Sequence, residues 1–400
     1  MFSRISYWHG IQGGMDVHGK ILTEGLARQG HRVSVICTRH PDGIVGEERY
    51  GVNLYYLKNT IFGSRRQGWM QESIKKCEQL HRQRPFDIIL SQSFAAYGMR
   101  RRPPILNELP IVCRLPGSIA QELKTFRVNL RERWKNPGEV VRRFAGLLFS
   151  YWLEQKPLLS LADKLITASH SVTRDIEKFF GKRISRKCVR ILNGIDCNHF
   201  KPMAHQRNAL RNRYGIPQDA IILFAIGRLN KEKGFQIAID VMKRLRHDDR
   251  LDVKLMIAGA GDYRQVLSRK IQRNGLAGDV ILTGFVDNTD TVEYYNGADI
   301  FLMPTLTVEG LPFVLIEAMA CGKPVIASRI GGNTTIVQND RNGILVRAGS
   351  VDHLYESTKR LIVDDRLAAK FSRAARETAV NEFSSEKMVK ETMNVIQNVR

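Results

Sequence analysis

The chain has 400 residues, 43% hydrophobic and 8% aromatic, which is ordinary for a soluble globular protein but too long for one compact core, so two domains are expected. No run reaches the roughly 18–20 apolar residues of a membrane span, and six scattered cysteines without a C-x-x-C pair exclude a disulfide scaffold and a clustered metal site. The net charge of +22 asks for an anionic partner, and half of it lies in residues 101–190, which hold 19 Lys/Arg against 8 Asp/Glu. The amino terminus lacks a signal-peptide core, so a cytoplasmic chain is expected.

In chain order, the opening reads as a strand at Ile5–Trp8, a glycine loop from Gly10 to Gly14, a helix over Met15–Gln29 and a strand over Val33–Cys37. That is a βαβ start with a glycine-rich first turn. Gly13-Gly14 is a pair that a tight turn usually explains, although glycines at a helix N-terminus also let the backbone approach a phosphate. Further strands are expected at Ile88–Leu90, Ile111–Cys113 and Lys164–Thr167, with helices filling the intervals.

Residues 124–153 mix seven Lys/Arg with Phe126, Trp134, Phe144, Phe149, Tyr151 and Trp152. Either these aromatics pack inward, or the segment docks on anionic lipid headgroups. Lipid is preferred to nucleic acid, because no nucleic-acid-binding module accompanies the charge. The stretch Ile191–Asp196 ends this half, and Lys201-Pro202 begins a connector.

A second α/β unit follows, with strands at Ile221–Ile226, Val253–Ala258, Val280–Gly284, Ile300–Met303 and Pro324–Ala327. Helices are expected over Gly234–Arg246, Tyr263–Asn274 and Thr289–Gly297, which makes a parallel sheet covered on both faces. Gly259-Ala260-Gly261 looks like the start of a dinucleotide fingerprint, but Arg264 occupies its third glycine position. After the first strand of this unit, Arg228 and Lys233 stand five residues apart, a spacing that lets two cations converge on one diphosphate. After the fourth, Glu309 falls in a loop and Glu317 on the following helix, eight residues on and flanked by Leu315, Ile316, Ala318 and Met319. An apolar setting of that kind makes an idle surface acid a poor reading of Glu317. Residues Glu386–Val399 form a final amphipathic helix.

The string Thr305–Ala327, with Glu309 and Glu317, resembles the E-x7-E signature of the retaining family-4 glycosyltransferases, and Gly227–Gly234 resembles their G-R-x4-K-G loop. The resemblance implies the GT-B fold: a Rossmann-like acceptor domain near 1–200, a Rossmann-like donor domain near 201–383, a cleft between them, and residues 384–400 returning to the first. It implies transfer of a sugar from a nucleotide-diphosphate donor to a saccharide or lipid-linked acceptor, with no metal and no cofactor. Glu309, with the backbone of Gly310 and Leu311, would hold sugar hydroxyls, and Glu317 the ribose. Arg228 and Lys233 would clamp the diphosphate, Lys233 being preferred to the neighbouring Lys231. Gly13 and Gly14 match the family's G-G loop. Phe285 and Val286 would border the base, with plain core packing the equal alternative.

One departure is visible. Pro116 stands where many members have a histidine, which leaves His18, Arg114 and Ser118 as the polar candidates on the acceptor side. Two rival readings share the fold: a sugar-nucleotide epimerase, and a non-catalytic binding subunit. A peripheral place on the inner face of the membrane fits a lipid-linked acceptor.

Overall fold

The computed structural model describes residues 1–9, 13–64, 67–115, 117 and 137–399. The chain divides into two compact units, Met1–Gly194 with Ser385–Arg400, and Ile195–Ser384.

The first unit contains β1 (Val33–Thr38), β2 (Gly46–Arg49), β3 (Val52–Leu57), β4 (Ile89–Gln92), β5 (Ile111–Leu115), β6 (Lys164–Thr167) and β7 (Cys188–Arg190). They form two sheets, β1-β3-β2 and β4-β5-β6-β7, parallel throughout except for the β2/β3 hairpin. Residues 1–4 run between the sheets. Phe2 bridges Ile36 of β1 and Ser91 of β4, donating its N–H to Leu90 and accepting from Gln92.

The opening strand therefore lies nearer the terminus than the expected Ile5–Trp8, and Tyr7–His9 is a 3-10 turn instead. A histidine ring explains the difference. Ser6 donates its backbone N–H to His9 Nδ1 at 3.0 Å, and His9 Nε2 lies 3.1 Å from the Thr38 carbonyl, which curls the chain over β1. The β2/β3 hairpin also replaces a helix expected in that interval.

The second unit contains β8 (Ile221–Ile226), β9 (Val253–Ala258), β10 (Val280–Gly284), β11 (Ile300–Met303), β12 (Val325–Ser328) and β13 (Ile344–Val346). Their order is β10-β9-β8-β11-β12-β13, parallel throughout. Near-continuous apolar strands such as Ile221–Ile226 are what a sheet covered on both faces requires. The chain moves outward from β8 to β10 and then returns to the other side of β8 as β11. The strand order thus reverses between β8 and β11, the place where open α/β sheets bind ligands outside the carboxyl ends.

The final helix, Ser385–Gln397, packs on the helix Gly14–Arg28, and Met388, Val389 and Val395 share a core with Leu22 and Leu26. Among the described residues no helix is long and apolar enough to cross a membrane.

Candidate active site

The two strands at the order reversal deliver one carboxylate and one ammonium to the same spot. After β8 the chain makes a 3-10 turn, Lys231–Lys233, capped by Asn230, whose side chain accepts the Lys233 N–H at 3.1 Å. Gly234 follows at φ +74°, and a Cβ built there would lie 1.9 Å from the Pro304 carbonyl oxygen at the end of β11. Only glycine permits that approach. The β8 and β11 loops are joined further by the Leu306 N–H donating to the Glu232 carbonyl at 2.7 Å. Held this way, Lys233 Nζ meets Glu309 Oε1 at 2.5 Å, with the two side chains 27% and 20% exposed. Of the two lysines in this turn, it is Lys233 that pairs with Glu309. Gly234→Ala is expected to destabilise the protein by roughly 2–4 kcal/mol, read by urea unfolding; an unchanged midpoint would refute the tight contact.

A second glycine pair, passed over in the sequence reading, fixes the Glu309 backbone. Gly332 donates its N–H to the Glu309 carbonyl at 2.8 Å, and a Cβ on Gly332 would fall 1.9 Å from the Gly310 oxygen. The available signal was Gly331-Gly332 just beyond β12, the same strand-then-glycines punctuation as Gly13-Gly14. Leu311 is buried, and the helix Phe313–Ala320 begins two residues later.

Arg228 is exposed at the carboxyl end of β8 and, with Asn230, Ala260, Gly261 and Asp262, lines a cavity beside the end of β9. The glycine loop rejected as a dinucleotide fingerprint is thus a wall of this cavity, fixed by the Leu229 N–H donating to the Ala260 carbonyl at 2.8 Å. Phe285, just past β10, is 67% exposed, so core packing does not account for it, and Val286 is half-buried.

Glu317 sits apart from Glu309 in character. It is 2% exposed, and Tyr295 Oη donates to its Oε2 at 2.8 Å. Tyr295 itself packs edge-on against Phe200 and Phe224. Burial pushes the Glu317 carboxyl up to about 7, against a smaller opposing effect of the Tyr295 bond.

In the first unit Gly13 caps the helix Gly14–Arg28, both glycines being exposed. Asp16, another residue the sequence reading missed, lies in the first turn of that helix, and burial pushes its carboxyl up to about 6. His18 and Arg114 are brought together in the interior, at 2% and 5% exposure. His18 is held well below the usual imidazole range by burial and then by the Arg114 charge. Arg114 Nη2 donates to Asn193 Oδ1. Ser118 and Pro116 lie outside the described residues, as does the segment 124–136.

The described remainder of the basic aromatic segment is the helix Pro137–Ser150 and a π turn, Tyr151–Gln155. Tyr151 stacks inward on Phe180. Val141, Phe144, Leu148 and Trp152 recur every three or four residues and are all exposed, so the inward-packing alternative fails for them. Lys156 Nζ sits 4.3 Å from the Trp152 ring centre.

This arrangement can be set beside known proteins. The family "Glycosyltransferase Family 4" matches residues 12–199, and "Glycosyl transferases group 1" matches residues 206–378. An uncharacterized glycosyltransferase, MJ1607 of Methanocaldococcus jannaschii, is 27% identical over 96% of this chain and 94% of its own. A GDP-mannose-dependent alpha-(1-6)-phosphatidylinositol monomannoside mannosyltransferase of Mycolicibacterium smegmatis is 33% identical, over 48% of this chain and 51% of its own. The crystal structure of Anabaena Alr3699/HepE with UDP and glucose superposes with a TM-score of 0.76 at 20% identity, covering 99% of this chain and 98% of that one. The chain belongs to the family-4 type of glycosyltransferase, and its two-domain α/β fold is GT-B.

Proposed function

We propose that the chain is a retaining glycosyltransferase that moves a sugar from a nucleotide-diphosphate donor to a saccharide or lipid-linked acceptor without a metal. The observation that carries this reading is the Lys233–Glu309 pair at the strand-order reversal. Lys233 and Glu309 satisfy each other's charge. A donor entering there exchanges that bond for two new ones: Lys233, with Arg228, takes the diphosphate, and Glu309 takes sugar hydroxyls. As the glycosyl bond breaks, negative charge grows on the departing diphosphate, where preorganised cations stabilise it most. These two cations do the work a divalent ion does in other transferases. Exposed Phe285 offers a face for the base, and Glu317 a carboxylate for the ribose.

The mannosyltransferase relative names GDP-mannose and the Anabaena structure holds UDP, so nucleotides of both kinds are the donors to test first. Thermal-shift screening against a panel of nucleotide sugars, followed by NMR of the anomeric configuration of the product, tests the reading. No stabilisation by any nucleotide sugar, or an inverted anomeric centre, would overturn it.

The exposed stripe Val141, Phe144, Leu148 and Trp152, beside Lys156, supports a peripheral contact with anionic membrane. Sedimentation with vesicles containing about a third phosphatidylserine is expected to carry the protein down, and Phe144→Ser with Trp152→Ser to release most of it. Equal pelleting of the double variant would count against this surface.

A further inference from the structure

The first unit holds a cation that nothing described neutralises. Arg114 is the fourth residue of β5, and its neighbours Cys113 and Leu115 face the opposite core. Its own side chain turns with Val112 toward the helix Gly14–Arg28, which carries His18. Arg114 Nη2 is used by Asn193, while Nη1 is buried without a hydrogen-bond partner, and no described carboxylate forms an ion pair with it. The nearby His18 Nε2 is likewise buried and without a partner.

The proton on His18 can be placed. Gln92 Nε2 donates to the Met15 carbonyl at 2.8 Å, which fixes the amide with its nitrogen toward the helix. That same nitrogen faces His18 Nδ1 at 3.5 Å, so Nδ1 accepts and Nε2 carries the hydrogen. The two unsatisfied atoms are therefore both donors, one of them on a permanent cation. A metal ion is repelled by such a pair, and a neutral hydroxyl leaves the charge unmatched. Burying an uncompensated guanidinium is costly, and burial alone pushes Arg114 down to about 9. Holding Asn193 requires only a neutral donor, so a structural role does not explain the charge.

We propose that Arg114 and His18 form a receptor, at the carboxyl end of β4 and β5, for a carboxylate or phosphate monoester carried by the acceptor. The assignment to an acceptor rests on the transferase reading above. The acceptor is thereby an acidic saccharide or a phosphorylated one, rather than a neutral sugar.

The test is a thermal-shift and calorimetric titration of the full chain with inorganic phosphate and, separately, with acetate, at constant ionic strength. Each is repeated with saturating UDP or GDP. The wild type is expected to gain melting temperature with at least one anion, phosphate or acetate naming the kind of group. Arg114→Met is expected to lose that gain while keeping the nucleotide response, and to melt higher than wild type in anion-free buffer because its stranded charge is gone. His18→Leu, which keeps the cation, covers the case in which the Arg114 variant does not fold. It removes one neutral donor, for about a tenfold weaker anion affinity. An anion response that survives Arg114→Met, or survives His18→Leu unweakened, overturns the receptor. So does a response abolished by saturating nucleotide, which would assign the anion to the donor diphosphate. A missing nucleotide response with an intact Arg114-dependent anion response would instead count against the transferase reading and leave the receptor standing.

Discussion

Glu309→Gln is expected to lower sugar transfer by at least about 100-fold, the range seen when one preorganised polar group is removed from a charged transition state. The same substitution should leave the melting temperature nearly unchanged. Its partner Lys233 is 27% exposed and Glu309 20%, and water-accessible ion pairs contribute only about 0–1 kcal/mol to folding. Lys233→Met should behave alike. The combination separates a binding role from a scaffolding one, because a scaffold residue would lose stability first and activity in proportion. Steady-state transfer assays beside denaturation curves decide it. A variant that unfolds easily yet turns over normally would remove Glu309 from the reaction. A non-catalytic subunit would show the same cellular function with either side chain.

Glu317→Gln should separate stability from binding in the opposite sense. The folded Glu317 carboxyl titrates near 7, against an ordinary value of 4.5. Between those values the native protein holds a proton that the unfolded chain has released, so stability falls as pH rises through the window. Wild type is then expected to lose about 3 kcal/mol between pH 4.5 and pH 7 from this one group. The glutamine variant, with no proton to lose, should lack that slope and unfold later than wild type at pH 8. It should nonetheless bind nucleotide more weakly if the carboxylate meets ribose. Urea unfolding at pH 5 and pH 8, with nucleotide titration at pH 8, reads both halves. A wild-type slope of the opposite sign would show that Glu317 is already ionised in the fold.

Five of the six strands of the second unit were readable in the sequence, most of them because they are buried on both faces, whereas the short strand Ile344–Val346 was not. Ile221–Ile226 and Val253–Ala258 fell where expected for that reason. The first unit was harder. The Val52–Leu57 strand is rich in aliphatic and aromatic residues, with Tyr50-Gly51 as its turn, yet the hairpin was read as a helical interval. The displaced opening strand could not have been foreseen from propensity, since it depends on a His9 ring bonding across to Thr38.

At the candidate site, the sequence named Glu309, Lys233 and Arg228, but not what brings the first two together. Gly234 against Pro304 and Gly332 against Gly310 are meetings of backbones far apart in the chain, and pattern reading sees neither. The burial of His18 beside Arg114 was invisible for the same reason, as was the raised proton affinity of Asp16 and Glu317, which follows from solvent exclusion.

The sheets of the first unit meet along residues 1–4, and an apolar hollow lined by Phe2, Leu26, Val33, Ile36, Ile89 and Ile396 continues that line. Phe2 pairs with Ile36 on one side and Ser91 on the other, so backbone bonding passes without a gap from β1 to β4. Removing these four residues would leave two raw strand edges in the middle of the layer, which is where unpaired N–H and C=O groups are least tolerated.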